Sequence, residues 1–226
     1  RIFNIFDMKG SIAALVLGVI VSFFGSLNWL ILLVIFAVSS HIATKMFFDE
    51  KKKLKLQEGR AGERRFSNVF YAGIIALAIS SVNFFAMTTK MLNFNLFALF
   101  ASSLAVIASD TFGSEIGVMD RNVYMITTMR KVPPGVNGGI SVTGELSAML
   151  GSFIVAISYS FLRTSGFDLF LFLVVFVSGF FGCHIDSLLG ALLENKGLIS
   201  KGAVNLLASV SGVALAGALI ASSHII

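Results

Sequence analysis

The chain has 226 residues, of which 56% are hydrophobic and only 13% are charged, and its formal net charge is +5. A soluble domain carries about a quarter charged residues, so this composition excludes a water-soluble protein and is typical of a polytopic membrane protein. The single Cys183 excludes a disulfide framework and, with only three scattered His residues, argues against a metal site built from Cys or His. Excess Lys and Arg in a membrane protein reflects cytoplasmic loops, so we predict no nucleic-acid partner.

Seven apolar segments are long enough to cross a bilayer, which takes roughly 17–25 residues. They lie near residues 11–26, 28–47, 68–88, 92–109, 144–162, 167–185 and 203–224. We therefore predict an all-α transmembrane helical bundle of about seven spans that forms one domain over residues 1–226. The alternative has six spans, with one of the first two segments re-entrant.

The cations divide unevenly between the predicted connections. If the N-terminus is cytoplasmic, Lys90 and Arg163 are the only two of the 17 Lys and Arg residues that fall on the outer side. The positive-inside rule therefore predicts a cytoplasmic N-terminus and three cytoplasmic loops, at 45–67, 110–143 and 186–202. We expect the functional face of this multi-pass protein to be cytoplasmic.

Three acids accompany these apolar segments. Asp110 and Glu115 lie where the fourth segment meets the cytoplasm, and Asp186 lies among small residues that predict close helix contacts. Because a carboxylate is costly inside a membrane, such acids are usually paired or functional. We predict that the three converge on one magnesium site, since Mg²⁺ prefers oxygen ligands. The alternatives are that Asp110 only ends its span in interfacial water and that Asp186 clasps a neighbouring helix through Ser187 or His184.

The segment 130–141, RKVPPGVNGGIS, contains both prolines of the chain and two adjacent cations. Its glycines allow backbone N–H groups to converge on an anion, and the next helix, capped by Ser141 or Thr143, points its N-terminus toward the loop. This pattern predicts a phosphate-binding loop, although an ordinary turn with a solvated Arg-Lys pair fits nearly as well. In the loop 45–67, Arg60, Arg64 and Arg65 could contact phosphates or serve only as a positive-inside anchor.

The segments SDTFGSEIG (109–117), VPPGVNGGIS (132–141) and DSLLGA (186–191) together resemble a widespread family of integral membrane proteins. That family includes the plastid phytyl-phosphate kinase of tocopherol synthesis, and the resemblance extends from about residue 59 to the end. It implies transfer of a phosphoryl group from a nucleoside triphosphate, CTP by preference, to an isoprenoid monophosphate of the phytyl or geranylgeranyl type. The product would be the diphosphate.

The resemblance also implies roles for individual residues. Asp110, Glu115 and Asp186 match family acids and would be the catalytic and Mg²⁺-binding residues. At Gly113 many members have Ala, a departure that should not abolish the site. The family loop is matched by Pro134, Gly135, Asn137, Gly138 and Ser141, and polar family positions at helix starts are matched by Asn68 and Asn205. We assign these residues to nucleotide or phosphate binding, together with Arg130, Lys131 and Gly139, which the loop pattern itself indicates.

Two other functions remain as alternatives. A transporter of an ion or small anion would also place acids inside the bundle, but it needs polar residues toward the outer face, where this sequence is nearly all apolar. A cytidylyltransferase that forms a CDP-lipid would share the need for metal and nucleotide and would differ in its products. The expected partners are a nucleoside triphosphate, an isoprenoid monophosphate lipid and membrane lipids, with the oligomeric state left open.

Overall fold

The computed structural model describes residues 5–59, 61–64, 66–89 and 95–223. Within these ranges the chain forms eight α-helices, and one turn of π-helix at Gly190–Glu194 follows the seventh. The helices are α1 (Met8–Phe24), α2 (Leu27–Lys45), α3 (Phe48–Lys53), α4 (Phe66–Thr89), α5 (Leu96–Gly117), α6 (Val142–Leu162), α7 (Leu169–Leu189) and α8 (Lys201–Ser223). The predicted all-α polytopic fold is confirmed.

Six of the described helices, α2 and α4 to α8, are long and apolar enough to cross a membrane. The seventh apolar helix, α1, has 17 residues and is about 25 Å long at ~1.5 Å per residue, which is shorter than a hydrocarbon core of ~30 Å. By length the structure therefore matches the six-span alternative, with α1 as an additional short apolar helix packed mainly against α4. The predicted cytoplasmic N-terminus stays a prediction.

Helix α5 is the centre of the bundle and contacts α2, α4, α6, α7 and α8. It can be surrounded because small residues bring its neighbours close, as the sequence pattern predicted. A Cβ added at Gly179 of α7 would lie 2.6 Å from the Cβ of Ala105, and one added at Gly182 or at Gly212 of α8 would lie 2.4 Å from Val106 Cγ2. Larger residues at these glycines would separate the helices.

Two helices continue further than the sequence predicted. Helix α5 includes Asp110 and Glu115, which were assigned to the start of a loop, and α7 includes Asp186. The polar residues in these last turns do not end the helices because they bond within the bundle; Ser109 Oγ, for example, donates to the carbonyl oxygen of Ala148 at 2.9 Å. The predicted loops 110–143 and 186–202 are therefore shortened, and all three acids stand on rigid helices.

The connection between α5 and α6 contains a small sheet that the sequence analysis did not predict. Strands β1 (Val123–Met125), β2 (Lys131–Val132) and β3 (Gly139–Ile140) pair antiparallel in the order β2-β1-β3. Tyr124 lies opposite both Lys131 and Ile140. The sheet therefore fixes the glycine-rich segment, which runs between β2 and β3, against the end of the bundle.

Candidate active site

A polar cavity of about 230 Å³, here called the loop cavity, opens at the end of the bundle where α5 and α7 end and α6 and α8 begin. The glycine-rich segment forms one wall, and the last turns of α5 and α7 form another. The three predicted loops thus meet at one end of the molecule. The polar side chains that line the cavity are Glu58, Asp110, Ser114, Glu115, Asn137, Ser141, Glu145, Asp186, Ser187, Glu194 and Lys201.

Asp110 on α5 and Asp186 on α7 come together at the base of this cavity. Their carboxyl groups lie close enough to share a hydrogen bond. Among the described residues neither acid forms a salt bridge, and Lys201 and Arg64 act on Asp110 from a greater distance. Two adjacent carboxylates repel each other unless a proton or a cation lies between them. The pair can therefore accommodate either a shared proton or a bound cation.

Glu115 lines the same cavity but has a protein partner. Lys51 Nζ lies 2.6 Å from Glu115 Oε2 and also donates to the carbonyl oxygen of Thr44 at 2.8 Å. No group of three Asp, Glu, His or Cys side chains that could hold a metal ion occurs in the described part of the chain. The structure therefore brings together two of the three predicted ligands, Asp110 and Asp186, and leaves the third neutralised by a lysine.

The glycine-rich segment is held tightly against the end of α7. Gly138 has a positive φ of 79°, and a Cβ there would lie 2.5 Å from the Cβ of Ala191 and 2.6 Å from the carbonyl oxygen of Ser187. Asn195 Nδ2 donates to the carbonyl oxygen of Asn137 at 2.9 Å. Only glycine meets both demands at position 138. The predicted loop residues that line the cavity are Gly135, Asn137, Gly138, Gly139 and Ser141.

Two side-chain hydrogen bonds fix the start of α6. Ser141 Oγ accepts a hydrogen bond from the backbone N–H of Gly144 at 3.1 Å, so the predicted cap is Ser141. Thr143 Oγ1 instead donates to Asp120 Oδ2 at 3.0 Å, and the N–H of Asn122 donates to Asp120 Oδ1 at 2.9 Å. Both bonds stabilise the charged carboxylate, the Asn122 bond more than the Thr143 bond, and so hold the pKa of Asp120 below its usual value.

The Arg130-Lys131 pair lies away from the loop cavity. Both side chains are exposed near the β1–β2 turn, and Lys131 Nζ donates to Asn122 Oδ1 at 2.8 Å. Pro134 belongs to the turn that follows β2 and is also absent from the cavity wall. The structure therefore does not bring these three predicted phosphate-binding residues to the site, because strand pairing directs the cations outward.

A second polar cavity of about 190 Å³, here called the arginine cavity, lies between the starts of α4 and α8 and the last turns of α5. It collects the two predicted asparagines. Asn68 Nδ2 donates to Glu58 Oε1 at 2.9 Å, and Asn205 Oδ1 is buried without a hydrogen-bond partner among the described residues. Arg64 also lines it and donates from Nη2 to Thr111 Oγ1 at 3.2 Å. Arg60 and Arg65 lie outside the described residues.

The two cavities share a wall. Its polar members are Glu58, Asp110, Ser114, Glu115 and Lys201, each of which lines both cavities. A group bound in one cavity and a group bound in the other would therefore face each other across the same acids and the same lysine. Such a paired arrangement suits transfer of a group from one molecule to another.

Sequence reasoning did not identify Lys51, Glu58 or Lys201 as parts of the site. Lys201 had a detectable signal, because a cation in the first turn of a helix is opposed by the helix dipole and needs another reason to be there.

The clasp between helices that was the alternative for the end of α7 is present at His184. His184 Nε2 lies 3.1 Å from Glu145 Oε2 and joins α7 to α6, which leaves Asp186 facing Asp110.

Comparison with known proteins identifies the family. Residues 2–221 match the family described as integral membrane protein DUF92. The chain belongs to this family. This result confirms the resemblance seen in the acidic and glycine-rich segments and agrees with the helical membrane fold.

Several relatives are themselves membrane or plant proteins. The uncharacterized membrane protein MJ0933 of Methanocaldococcus jannaschii is 30% identical over 91% of this chain and 82% of its own length. Protein VTE6, chloroplastic, of Arabidopsis thaliana is 30% identical over 66% of this chain and 45% of its own length, and Protein PGR of the same plant is 27% identical over 86% and 74%. No solved structure matches the chain.

Proposed function

We propose that the protein is a membrane-embedded kinase that transfers a phosphoryl group from a nucleoside triphosphate to an isoprenoid monophosphate and so makes the diphosphate. The observation that carries the proposal is the wall shared by the loop cavity and the arginine cavity, with Asp110 and Lys201 exposed to both. The preference for CTP and for a phytyl or geranylgeranyl chain rests on the family resemblance.

The loop cavity is the better place for the triphosphate. The glycine-rich segment lines it, and α6 begins beside it with a helix N-terminus that Ser141 caps and whose dipole favours anions. Its acids would repel a triphosphate, because five carboxylates besides Asp110 line the cavity and Lys201 is the lining cation among the described residues. Binding therefore requires positive charge from outside the chain.

Magnesium fits the donor set at the base of the loop cavity. Asp110 and Asp186 offer two adjacent carboxylates, and phosphate oxygens and water would complete the coordination that Mg²⁺ prefers. When bound there, the ion would supply positive charge that offsets the phosphates and lowers the repulsion against an anionic acceptor. Glu115 would remain bonded to Lys51 and support the wall without being a ligand.

The acceptor phosphate would occupy the arginine cavity. Arg64 offers donors there, the amide groups of Asn68 and Asn205 line the cavity, and Lys201 faces it from the shared wall. An oxygen of the acceptor phosphate would form the new bond to the γ-phosphorus, while the bond between that phosphorus and the β,γ-bridging oxygen breaks and the nucleoside diphosphate leaves. Because a phosphate monoester is largely ionised near neutral pH, with a second pKa of about 6, no general base is needed. The protein would contribute position and charge.

The test is product analysis with purified protein in lipid nanodiscs. CTP or ATP, Mg²⁺ and a panel of prenyl monophosphates are supplied, and the lipids and nucleotides are identified by mass spectrometry. A prenyl diphosphate with an equal amount of nucleoside diphosphate supports the kinase. A CDP-lipid with inorganic pyrophosphate would instead establish the cytidylyltransferase, and no product with any pair of substrates would overturn both enzymatic functions.

A further inference from the structure

An apolar groove lies between α1, α2 and α4, next to the arginine cavity. Its volume is about 150 Å³, and its lining includes Ala14 and Gly18 of α1, Leu30 and Ala37 of α2, and Gly73 of α4. The groove follows α2 from residue 30 to residue 40, which is about 15 Å at ~1.5 Å per residue, or roughly half of a hydrocarbon core.

The polar end of the groove adjoins the arginine cavity. Arg64, Asn68 and Ala72 line both spaces. Arg64 places its Nη2 near Thr44 and Thr111, whereas its Nε is buried and has no hydrogen-bond partner among the described residues. A buried guanidinium N–H without a partner is costly, and an anionic oxygen at this junction would satisfy it.

The side of the groove adjoins a wider apolar opening. That opening has a volume of about 630 Å³, lies between α1 and α4, and shares Leu17, Val69 and Gly73 with the groove. Lys9 lies at its rim. The wider opening, the groove and the arginine cavity therefore lie next to one another, from the outer surfaces of α1 and α4 to the Arg64 side chain.

We propose that this groove holds the tail of a single-chain isoprenoid phosphate, with the phosphate at Arg64 and the far part of the tail leaving between α1 and α4. The assignment rests on the proposed function, because it places the acceptor of that reaction. A cationic donor therefore adjoins an apolar channel with no acid on its lining, which matches an anionic head on a hydrocarbon chain. Short helix α1 forms one side of the channel.

A binding experiment tests the groove independently of turnover. Purified protein in nanodiscs is irradiated with geranylgeranyl phosphate that carries a diazirine in its second isoprene unit, and the labelled peptides are mapped by mass spectrometry. Label in α1, α2 or α4 that unlabelled geranylgeranyl phosphate competes away, and that a two-chain phosphatidic acid does not, supports the proposal. Label elsewhere, or equal competition by phosphatidic acid, overturns it.

A matched pair of variants tests the same point by obstruction. Ala37→Phe should fill the groove, whereas Val38→Phe places the same side chain one residue along α2, at an exposed position outside the lining. We expect Ala37→Phe to reduce specific labelling at least tenfold and Val38→Phe to leave it unchanged. Ala14→Leu obstructs the groove from α1 and replaces Ala37→Phe if that variant does not fold.

The two proposals fail in different ways. If wild-type protein binds the labelled lipid in the groove but makes no diphosphate, the kinase proposal fails and the binding site stands. If wild-type protein makes the diphosphate but Ala37→Phe and Val38→Phe have the same KM for geranylgeranyl phosphate, the kinase stands and the groove assignment is wrong.

Discussion

The charged groups at this end of the molecule fall into two sets. Asp110 and Asp186 face each other with no salt bridge among the described residues, whereas Glu115, five residues from Asp110 on the same helix, is bonded to buried Lys51. All three acids line one cavity, so burial does not separate them. The difference is that Glu115 has a cation of the protein in direct contact, whereas the Asp110–Asp186 pair has none among the described residues. Under the proposed function, this difference separates acids that bind from an acid that holds the structure.

The sharpest test removes charge from the unneutralised pair. We expect Asp110→Asn and Asp186→Asn each to lower kinase turnover by at least about 100-fold, the upper range for disturbing groups around a metal, and to raise the Mg²⁺ concentration needed for half-maximal activity. Their unfolding midpoints should not fall, because each change relieves repulsion between two carboxylates.

The control for this prediction is Asp168→Asn. Asp168 caps α7 at the opposite end of the helix that carries Asp186, and it accepts a hydrogen bond from the N–H of Leu171, which asparagine can also do. Unchanged turnover in this variant would show that loss of activity depends on position. Full activity in Asp110→Asn would remove this pair from the mechanism.

Glu115, the acid that Lys51 neutralises, should affect stability in the opposite way, because breaking its ion pair should lower the unfolding midpoint. Lys51→Met leaves Glu115 without its partner in a largely buried place, which typically costs about 3–5 kcal/mol. We expect a lower midpoint of thermal unfolding, measured in detergent. The double variant Lys51→Met/Glu115→Gln should recover most of that loss, because it removes both charges. A double variant as unstable as the single one would show that Lys51 acts through its bond to Thr44 or its packing.

The Asp110–Asp186 pair and the Lys51–Glu115 pair also show what the sequence can and cannot predict here. The apolar segments, the small-residue contacts and the meeting of three loops follow from composition and periodicity, which are local. The contact between Asp110 and Asp186 was expected because both lie at one end of their spans. Lys51 lies 64 residues from Glu115, in a segment that looks like a solvated extension, and nothing local indicates that it turns inward. Its pairing depends on tertiary packing.

A substitution in the glycine-rich segment tests whether the loop cavity must keep its shape. In Gly138→Ala, the positive φ and the contacts with Ala191 and the Ser187 carbonyl should displace the segment at a cost of about 1–3 kcal/mol. We expect the KM for the nucleotide to rise about tenfold with little change in kcat. Gly197→Ala is the matched control, because its φ is also positive, at 69°, but no atom lies within 4 Å of an added Cβ. Equal effects in both variants would mean that only backbone strain matters.

The comparison of acids extends to Asp120, which lies outside the membrane-spanning segments. Two hydrogen bonds stabilise its carboxylate. Its pKa is lowered in the folded protein, so its contribution to stability is present above the usual Asp pKa near 4 and is lost as the pH falls through the lowered value. Asp120→Asn keeps an acceptor but cannot titrate. We expect wild type to have a slightly higher unfolding midpoint than this variant at pH 7, and the difference to shrink as the pH falls toward 3. A difference that is constant with pH would exclude the charge as its source.

The smallest effect is expected at Lys131, where the sequence and the structure disagree. The sequence pattern predicts a phosphate contact, and losing a hydrogen bond to a charged group would cost about 1.5–3 kcal/mol, which is at least tenfold in affinity. The structure instead places the ammonium group on Asn122, outside the loop cavity, so Lys131→Ala should change the KM for either substrate by less than about twofold. Lys201→Ala is the informative comparison, because it removes a cation that lines both cavities, and it should raise both KM values at least about tenfold. If Lys131→Ala has the larger effect, the β1–β2 connection must close over the site when substrates bind. Lys131, which this structure directs outward, would then belong to the groups placed for binding.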